Sequence, residues 1–345
     1  MREEKPPRRR LRLLAWGAGV CLLGVLGLFY FRQTMAARPY RRTDYLFGTF
    51  VEVTAYGPRA RAGVTAAFTA MQAVAEKADP TRPTSDLARL NRAAGKSPVR
   101  INPTTMHLLR LAKEWYIRTD GAFDVTVGPL VSLWGFDPNG RPHLPTPAAV
   151  VAARKALGSD DLLLDEKHQT AFLRRPGMAV DLGGLAKGYA VDRAFEALRK
   201  LGIRAALINA GGSSIRALGR PPQRDAWRIA IAHPRKEGEF LRFLSLGPGE
   251  ALGTSADNQR FFFAGGRRYH HLFDPSTGYP ATGTVLCSVV AKDAVTADIL
   301  STACFVKGPA AGFLLARAQG AAALFYTPEG RTMTTPEFGH PGKKS

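Results

Sequence analysis

"AVDLGGLAKGYAVD", residues 179–192, runs from an apolar stretch into a helical pattern through the pair Gly183–Gly184. Glycine removes the side chain where a backbone must turn tightly or meet a ligand. The helix that follows, expected over about 184–201 and stopped by Gly202, offers free N–H groups and a positive dipole end. Lys187 adds a mobile positive charge. Such a turn suits a phosphate. It matches neither a P-loop nor a GxGxxG fingerprint, and taken alone it reads more simply as a tight packing turn.

The texture of the chain changes at this point. Upstream it is mostly helical. "FGTFVEVTAYG" alternates as a strand closed by Gly57, and residues 60–78 form an Ala-rich helix. Thr84 or Ser85 caps a short helix that Gly95 stops, Asn102–Pro103 opens another to about Thr119, and Thr146–Pro147 opens a third. Short apolar runs at 161–164, 170–174 and 178–182 then precede the Gly183–Gly184 turn. Downstream, strands are expected at 205–209, 213–218, 227–232, 240–246, 250–254, 260–264, 268–273 and 284–291. Helices at about 294–306 and 308–318 and a strand at 321–326 follow. Helices early and strands late indicate a mixed α+β domain with mainly antiparallel sheets, not a βαβ series. The tail, residues 336–345, reads as disordered.

The chain has 345 residues and a net charge of +20. Residues 1–42 carry ten Lys/Arg against Glu3 and Glu4, hence +8, and the other +12 is spread along the chain without a long basic run. No zinc finger, basic helix or aromatic RNA platform accompanies that charge, so nucleic acid is not an expected partner. Residues 13–31, "LLAWGAGVCLLGVLGLFYF", contain no charge and are long enough to span a bilayer. Six basic residues precede them, which favours a cytoplasmic N-terminus at 1–12 and places the rest of the chain outside. A retained anchor is the expectation and a cleaved signal peptide the alternative. Residues 32–42 read as a linker and 43–335 as the catalytic domain. Cys21 lies in the apolar span, and Cys287 and Cys304 read as small buried hydrophobes.

Three further stretches carry chemistry. "RRYHHLFDPSTGYP", residues 267–280, crowds His270, His271, Asp274 and Thr277 into a loop rich in turn formers. "LINAGGSSIRALG", residues 207–219, is a second Gly-rich strand exit, equally readable as a hairpin. "AVTADILSTACFVKG", residues 294–308, sets Asp298 and Thr302 one helical turn apart. Their oxygens would suit Mg²⁺, although an exposed aspartate and a back-bonding threonine fit the spacing as well. In "GAFDVTVGPLVSLWGFDP", residues 121–138, Phe123 and Trp134 read first as core.

In order along the chain, "FGTFVEV", "PTSDLARLN", "GAFDVTVGPLVSLWGF", "AVDLGGLAKGYAVD", "LINAGGSSIRALG", "ALGTSADNQRFF", "YHHLFDPSTGYP" and "TADILSTACFVKG" resemble the ApbE family of FAD:protein FMN transferases. The resemblance covers roughly 43–327, and the histidine loop is its most specific piece. It implies an ApbE-like, T-fold-like domain. It also implies an enzyme that splits FAD with Mg²⁺, passes FMN to a threonine hydroxyl of a partner protein and releases AMP. Partners of the family are extracytoplasmic domains of membrane redox complexes. A bacterial inner-membrane protein with one span and a periplasmic domain agrees with that.

By family position, His271 would touch the phosphate or assist proton transfer, with Asp274 orienting it or acting nearby. Ala186, through its carbonyl, Asp298 and Thr302 would hold the metal. Phe47, Thr81, Ala122, Phe123, Asp124, Lys187, Asp192, Ser255, His271 and Thr277 would contact the flavin nucleotide or support its pocket. The chain departs from the usual pattern at Phe47, where methionine is common, at Thr81, where tyrosine is common, and at Ala256, where glycine is common. Arg82 could replace the lost aromatic wall by stacking its guanidinium. The rival functions are an FAD pyrophosphatase, with water in place of threonine, and a non-catalytic flavin-binding or trafficking protein.

Overall fold

The computed structural model describes residues 38–339 apart from positions 139 and 223. The expected basic N-terminus, the 13–31 span and the last six residues of the tail lie outside the described residues.

A single antiparallel sheet organises the chain. Its strands are β1 (Pro39–Leu46), β2 (Thr49–Tyr56), β6 (Ala206–Ala210), β7 (Ser214–Leu218), β10 (Ala251–Ala256), β13 (Leu286–Ala291), β14 (Ala322–Tyr326) and β15 (Thr332–Thr334), in that spatial order. Between them in sequence lie a small sheet of β3 (Val99–Arg100), β4 (Leu162–Asp165) and β5 (Thr170–Leu173), and two hairpins. The hairpins are β8 (Trp227–Ala232) with β9 (Phe240–Leu246), and β11 (Phe261–Ala264) with β12 (Arg267–His270). The helices are α1 (Ala60–Ala78), α2 (Asp86–Arg92), α3 (Pro103–Arg118), α4 (Gly128–Leu133), α5 (Pro147–Arg154), α6 (Ala186–Lys200) and α7 (Ala294–Ala318).

The pleat sends alternate side chains to opposite faces. On one face Val51, Val53, Ile208, Val289, Ala323 and Phe325 pack beneath α1, α6 and α7. On the other, Ile215, Leu252, Leu286 and Leu324 pack against Trp227, Ile229 and Leu244 of the β8–β9 hairpin. Cys287 and Cys304 are both free and fully buried in the first of these cores.

Helix starts follow the expected chemistry. Ser85 accepts from the Ala88 N–H, Asn102 from those of Thr104 and Thr105, and Thr146 from that of Ala149. The two helices expected near 294–318 meet at Gly308, whose backbone is non-helical (φ 74°, ψ 173°), and Pro309 follows it, so α7 consists of two helical segments. Three boundaries differ. The sheet begins at Pro39, inside the expected linker, because β1 pairs along its whole length with β2. Residues 178–182 form only an isolated parallel bridge, Val127 to Ala179. Phe338, placed by the sequence reading in a disordered tail, is buried in the second core.

A third core, built around Trp134, Phe136 and Phe273 with Leu130 and Val150, positions the histidine loop. Trp134 at the end of α4 is fully buried. Phe273, Tyr269 and Tyr279 lie 5.9, 5.5 and 5.6 Å from it between ring centroids. Its Nε1–H donates to the Gly278 carbonyl at 3.2 Å. Trp134→Ala should therefore cost about 3–5 kcal/mol in denaturant unfolding. It should loosen residues 270–280 first, seen as faster amide exchange there than in β13. Uniform loosening would show that the loop does not hang on this side chain.

Candidate active site

Asp192 on α6 joins the pieces. Its two oxygens accept from the Ala294 and Val295 N–H groups at 2.8 and 3.0 Å, and Oδ1 also meets Arg216 Nη1 of β7 at 2.7 Å. The clamp holds the start of α7 against the first half of α6. Burial raises the Asp192 pKa to about 6, with Arg216 and the two N–H groups working against the rise. Sequence reasoning grouped Asp192 with residues that contact the flavin nucleotide or support its pocket. Its oxygens are engaged by α7 and β7, so it builds the site from behind.

The clamp brings both weak motifs together. Asp298 is buried on α7, and the Gly188 N–H of α6 donates to it. Ser214 Oγ, at the start of β7, lies 2.6 Å from each of its oxygens. Burial raises the Asp298 pKa to about 6, and Lys187 is the main opposing influence. Lys187 Nζ donates to Ser213 Oγ at 2.6 Å. Thr302 Oγ1 lies 3.2 Å from the Asp298 carbonyl and 3.1 Å from Ser255 Oγ, which also meets Ser301. A Cβ placed on Gly184 would stand 2.9 Å from Phe123 and 3.8 Å from Thr302 Oγ1. The glycine turn thus lies over α7, with Ala186 buried at the start of α6.

Ala256 explains one departure from the family pattern. Ser255 points to α7, so the next residue of the strand points away, and the Ala256 methyl is buried in the second core. The extra carbon does not crowd this site.

The two histidines of the loop have separate roles. His270 is buried and bonded at both nitrogens: Nε2–H to the Ala281 carbonyl at 3.1 Å, and Nδ1 from the Leu272 N–H at 3.2 Å. Burial depresses its pKa to about 4. His271 remains partly open to solvent. Its Nδ1 lies 3.3 Å from the Arg260 carbonyl, which also accepts its backbone N–H. A carbonyl only accepts, so Nδ1 carries the proton and Nε2 keeps a free lone pair. Burial, then Arg260, push its pKa down to about 3, and Lys187 is near enough to add to the effect.

Asp274 was expected to orient His271 or to act nearby. Its Oδ1 accepts from the Ser276 N–H at 2.8 Å and from Ser276 Oγ at 2.7 Å. The Asp–Pro–Ser order makes an Asx turn, which engages Oδ1 within its own loop. Thr277 Oγ1 accepts the Tyr279 N–H within the same turn. The orienting group is the Arg260 carbonyl, which no side-chain motif reveals.

Other expected contacts sort by surroundings. Asp124 is buried, and its Oδ1 accepts from the Thr126 N–H and hydroxyl and from Ser159 Oγ. Phe123 and Ala122 are buried beside Leu182 and Leu185 in the first core. Thr81 bonds to Asp79, and Arg82 reaches Glu76 at 3.9 Å. Phe47 holds φ 54° in the β1–β2 turn, followed by Gly48 at 72°. Left-handed backbone is unfavourable for a bulky residue, so the hairpin imposes it. Sequence reading missed Ser214 and Gly188 as partners of Asp298. The serine pair after Gly211–Gly212 was the available signal.

A hard cation fits the donor set. Among the described residues no group of three or more His, Cys, Asp or Glu is arranged to hold a metal ion. A metal would rely on one buried carboxylate, a hydroxyl and backbone oxygen, with phosphate oxygens completing its shell. This is the pattern Mg²⁺ tolerates and softer metals do not select.

The ApbE family model matches residues 47–325. An FAD:protein FMN transferase of Treponema pallidum is 33% identical, over 92% of each chain. One of Rhodobacter capsulatus is 35% identical over 94% of this chain and 62% of its own length. The crystal structure of the Thermotoga maritima ApbE protein superposes with a TM-score of 0.81 at 32% identity, covering 87% of this chain and 98% of that one. The Vibrio cholerae flavin transferase ApbE superposes at 0.77 with 29% identity, over 88% and 98%.

The division of labour between the histidines is measurable. His270→Ala removes two buried hydrogen bonds and should lower stability by about 1–3 kcal/mol. His271→Ala should stay within about 0.5 kcal/mol of the wild type in the same denaturant titration. Nitrogen-15 NMR should find His271 neutral and protonated on Nδ1 at pH 5. A charged imidazolium there would contradict the assignment.

Proposed function

The chain belongs to the ApbE family, and on that premise we propose that it transfers the FMN half of FAD to a threonine hydroxyl of a partner protein, with release of AMP. The observation that supports this most is the His271 ring. Its proton is fixed on the Arg260 carbonyl side, its lone pair is free, and Lys187 lies near enough to influence both His271 and Asp298.

In the proposed reaction the threonine oxygen bonds to the FMN phosphorus, and the bond from that phosphorus to the bridging oxygen breaks. AMP departs with that oxygen. The hydroxyl proton passes to His271 Nε2. A base whose pKa is held near 3 is weak, but FAD phosphates beside it favour the imidazolium and strengthen it during the step. Lys187 balances phosphate charge. Bound Mg²⁺ would supply further charge neutralisation, and Asp298, Thr302 and the Ala186 carbonyl are the groups that would hold it. Ser214, Gly188 and Ser255 orient those groups. The target is a threonine-bearing extracytoplasmic domain of a membrane redox complex. The charge-free 13–31 stretch would tether the enzyme to the bacterial inner membrane on the periplasmic side.

Co-expression with candidate redox subunits, then mass spectrometry, tests this reading: one FMN adduct per threonine and one AMP released for each. Free FMN without an adduct would indicate hydrolysis of FAD instead. Asp298→Asn should abolish transfer at ordinary Mg²⁺, Thr302→Val should reduce it less, and EDTA should silence the wild type without unfolding it. Protonation of Asp298 competes with the cation. The Mg²⁺ concentration giving half-maximal rate should therefore rise as pH falls through about 6, and level off above it. A flat Mg²⁺ requirement from pH 5 to 8 would remove Asp298 from the metal.

A further inference from the structure

Among the described residues β1 ends the large sheet, and its 8 residues make a long edge, against 3 in β15 at the other end. The ladder decides which of its backbone groups face outward. The Phe50 carbonyl accepts from the Gly211 N–H, and the Tyr56 N–H donates to the Ala205 carbonyl, so the even-numbered residues of β2 serve β6. Its odd-numbered residues serve β1, opposite Tyr40, Arg42, Asp44 and Leu46. Arg41, Thr43 and Tyr45 therefore point their N–H and C=O groups away from the sheet. Asp44 Oδ1 takes the Tyr45 N–H at 2.9 Å. A long edge of this kind is a template for a further strand.

The helix layer is open on the same side. α1 packs on β1, β2 and α6, and leaves Thr65, Thr69, Gln72 and Ala73 exposed. A groove of about 380 Å³ runs between these residues and the helix-side side chains of Arg42, Asp44 and Leu46. The Arg42 guanidinium lies in it, 4.6 Å from the Phe68 ring centre and 2.6 Å from Asp44 Oδ2. On the other face Tyr45 and Phe50 meet edge to face at 5.5 Å, and they are 61% and 70% exposed.

Charge selects the occupant. Laid antiparallel on itself with a two-fold axis at Thr43, "PYRRTDYL" puts Arg42 opposite the partner's Asp44 on both sides of the axis. Arg41 then faces the partner's Tyr45, a guanidinium beside an exposed ring, and Tyr40 faces the partner's Leu46 at the groove. In this register the outward groups of Arg41, Thr43 and Tyr45 exchange ladder hydrogen bonds. Arg42 and Asp44 fall at the sites between, where side chains come closest. Moving the axis by one residue sets Arg42 against Arg42 or Asp44 against Asp44, which is unfavourable.

We infer that the β1–α1 edge binds a second copy of this chain, with β1 pairing antiparallel to the partner's β1 about Thr43 and the two α1 helices side by side above the joined sheet. Asp44 releases the Tyr45 N–H to the ladder and turns to the partner's Arg42. Both layers of the fold thus continue across the axis.

The test is sedimentation velocity of the full chain in detergent over a range of concentrations. The wild type should pass from monomer to dimer as concentration rises. Thr43→Pro deletes an outward N–H that the sheet itself does not use, so it should abolish the dimer and keep the fold. An unchanged denaturant midpoint checks the second half of that statement. Arg42→Asp and Asp44→Arg each set like charges across the axis and should each weaken the dimer about tenfold. The variant carrying both substitutions restores opposite charges in the same register and should recover most of the wild-type affinity. A wild type that stays monomeric at every concentration would overturn the inference. So would a dimer that persists in Thr43→Pro, which would place the contact elsewhere on the surface. A double variant no tighter than the single ones would overturn it as well, and its recovery decides the register even where Thr43→Pro lowers the midpoint.

Discussion

The structure turns on one buried carboxylate. Asp192 ties α6 to the first turn of α7 and, through Arg216, to β7. Each of these elements contributes a different group to the site: Lys187 and the glycine turn from α6, Asp298 and Thr302 from α7, Ser214 from β7. The groups are up to about a hundred residues apart in sequence, and none is a convincing ligand alone. Burial makes the clamp costly, since it raises the Asp192 pKa toward 6 even with an arginine and two N–H donors in place. A carboxylate kept at such a position has to be fully partnered, and that requirement fixes where α7 begins relative to α6.

Asp298 sits under the opposite condition. It too is buried and raised, but one neighbouring charge, Lys187, and a single hydroxyl do most of the compensating. A buried carboxylate left short of positive charge is suited to receive a cation. The same partial desolvation acts on His271, whose neutral form is enforced before any phosphate arrives. The empty enzyme would then be biased toward the charges its substrate brings.

Much of the fold was legible because helix caps and pleat alternation are local. Ser85, Asn102–Pro103 and Thr146–Pro147 start helices where their side-chain chemistry requires, and the 227–232 and 240–246 strands have the expected limits. Strand order was not legible, because pairing β2 with β6 joins residues about 150 positions apart. β1 hid in an expected linker because an edge strand keeps half its side chains in water and reads as polar. At the candidate site, partnership did not follow from proximity in sequence. Asp274 turned into its own Asx turn, Asp192 became a clamp, and a backbone carbonyl oriented His271.

On the proposed function, the α6 turn and the α7 pair form one site that shares a cation and the FAD pyrophosphate. Calorimetric titration of FAD into the protein with and without Mg²⁺ tests this most directly, because coupling between two ligands is a free energy that both must report equally. With one shared site, Mg²⁺ should tighten FAD, FAD should tighten Mg²⁺ by the same factor, and Asp298→Asn should remove the coupling while leaving FAD binding without Mg²⁺ nearly as it was. FAD affinity independent of Mg²⁺ in the wild type, or coupling that survives Asp298→Asn, would contradict it.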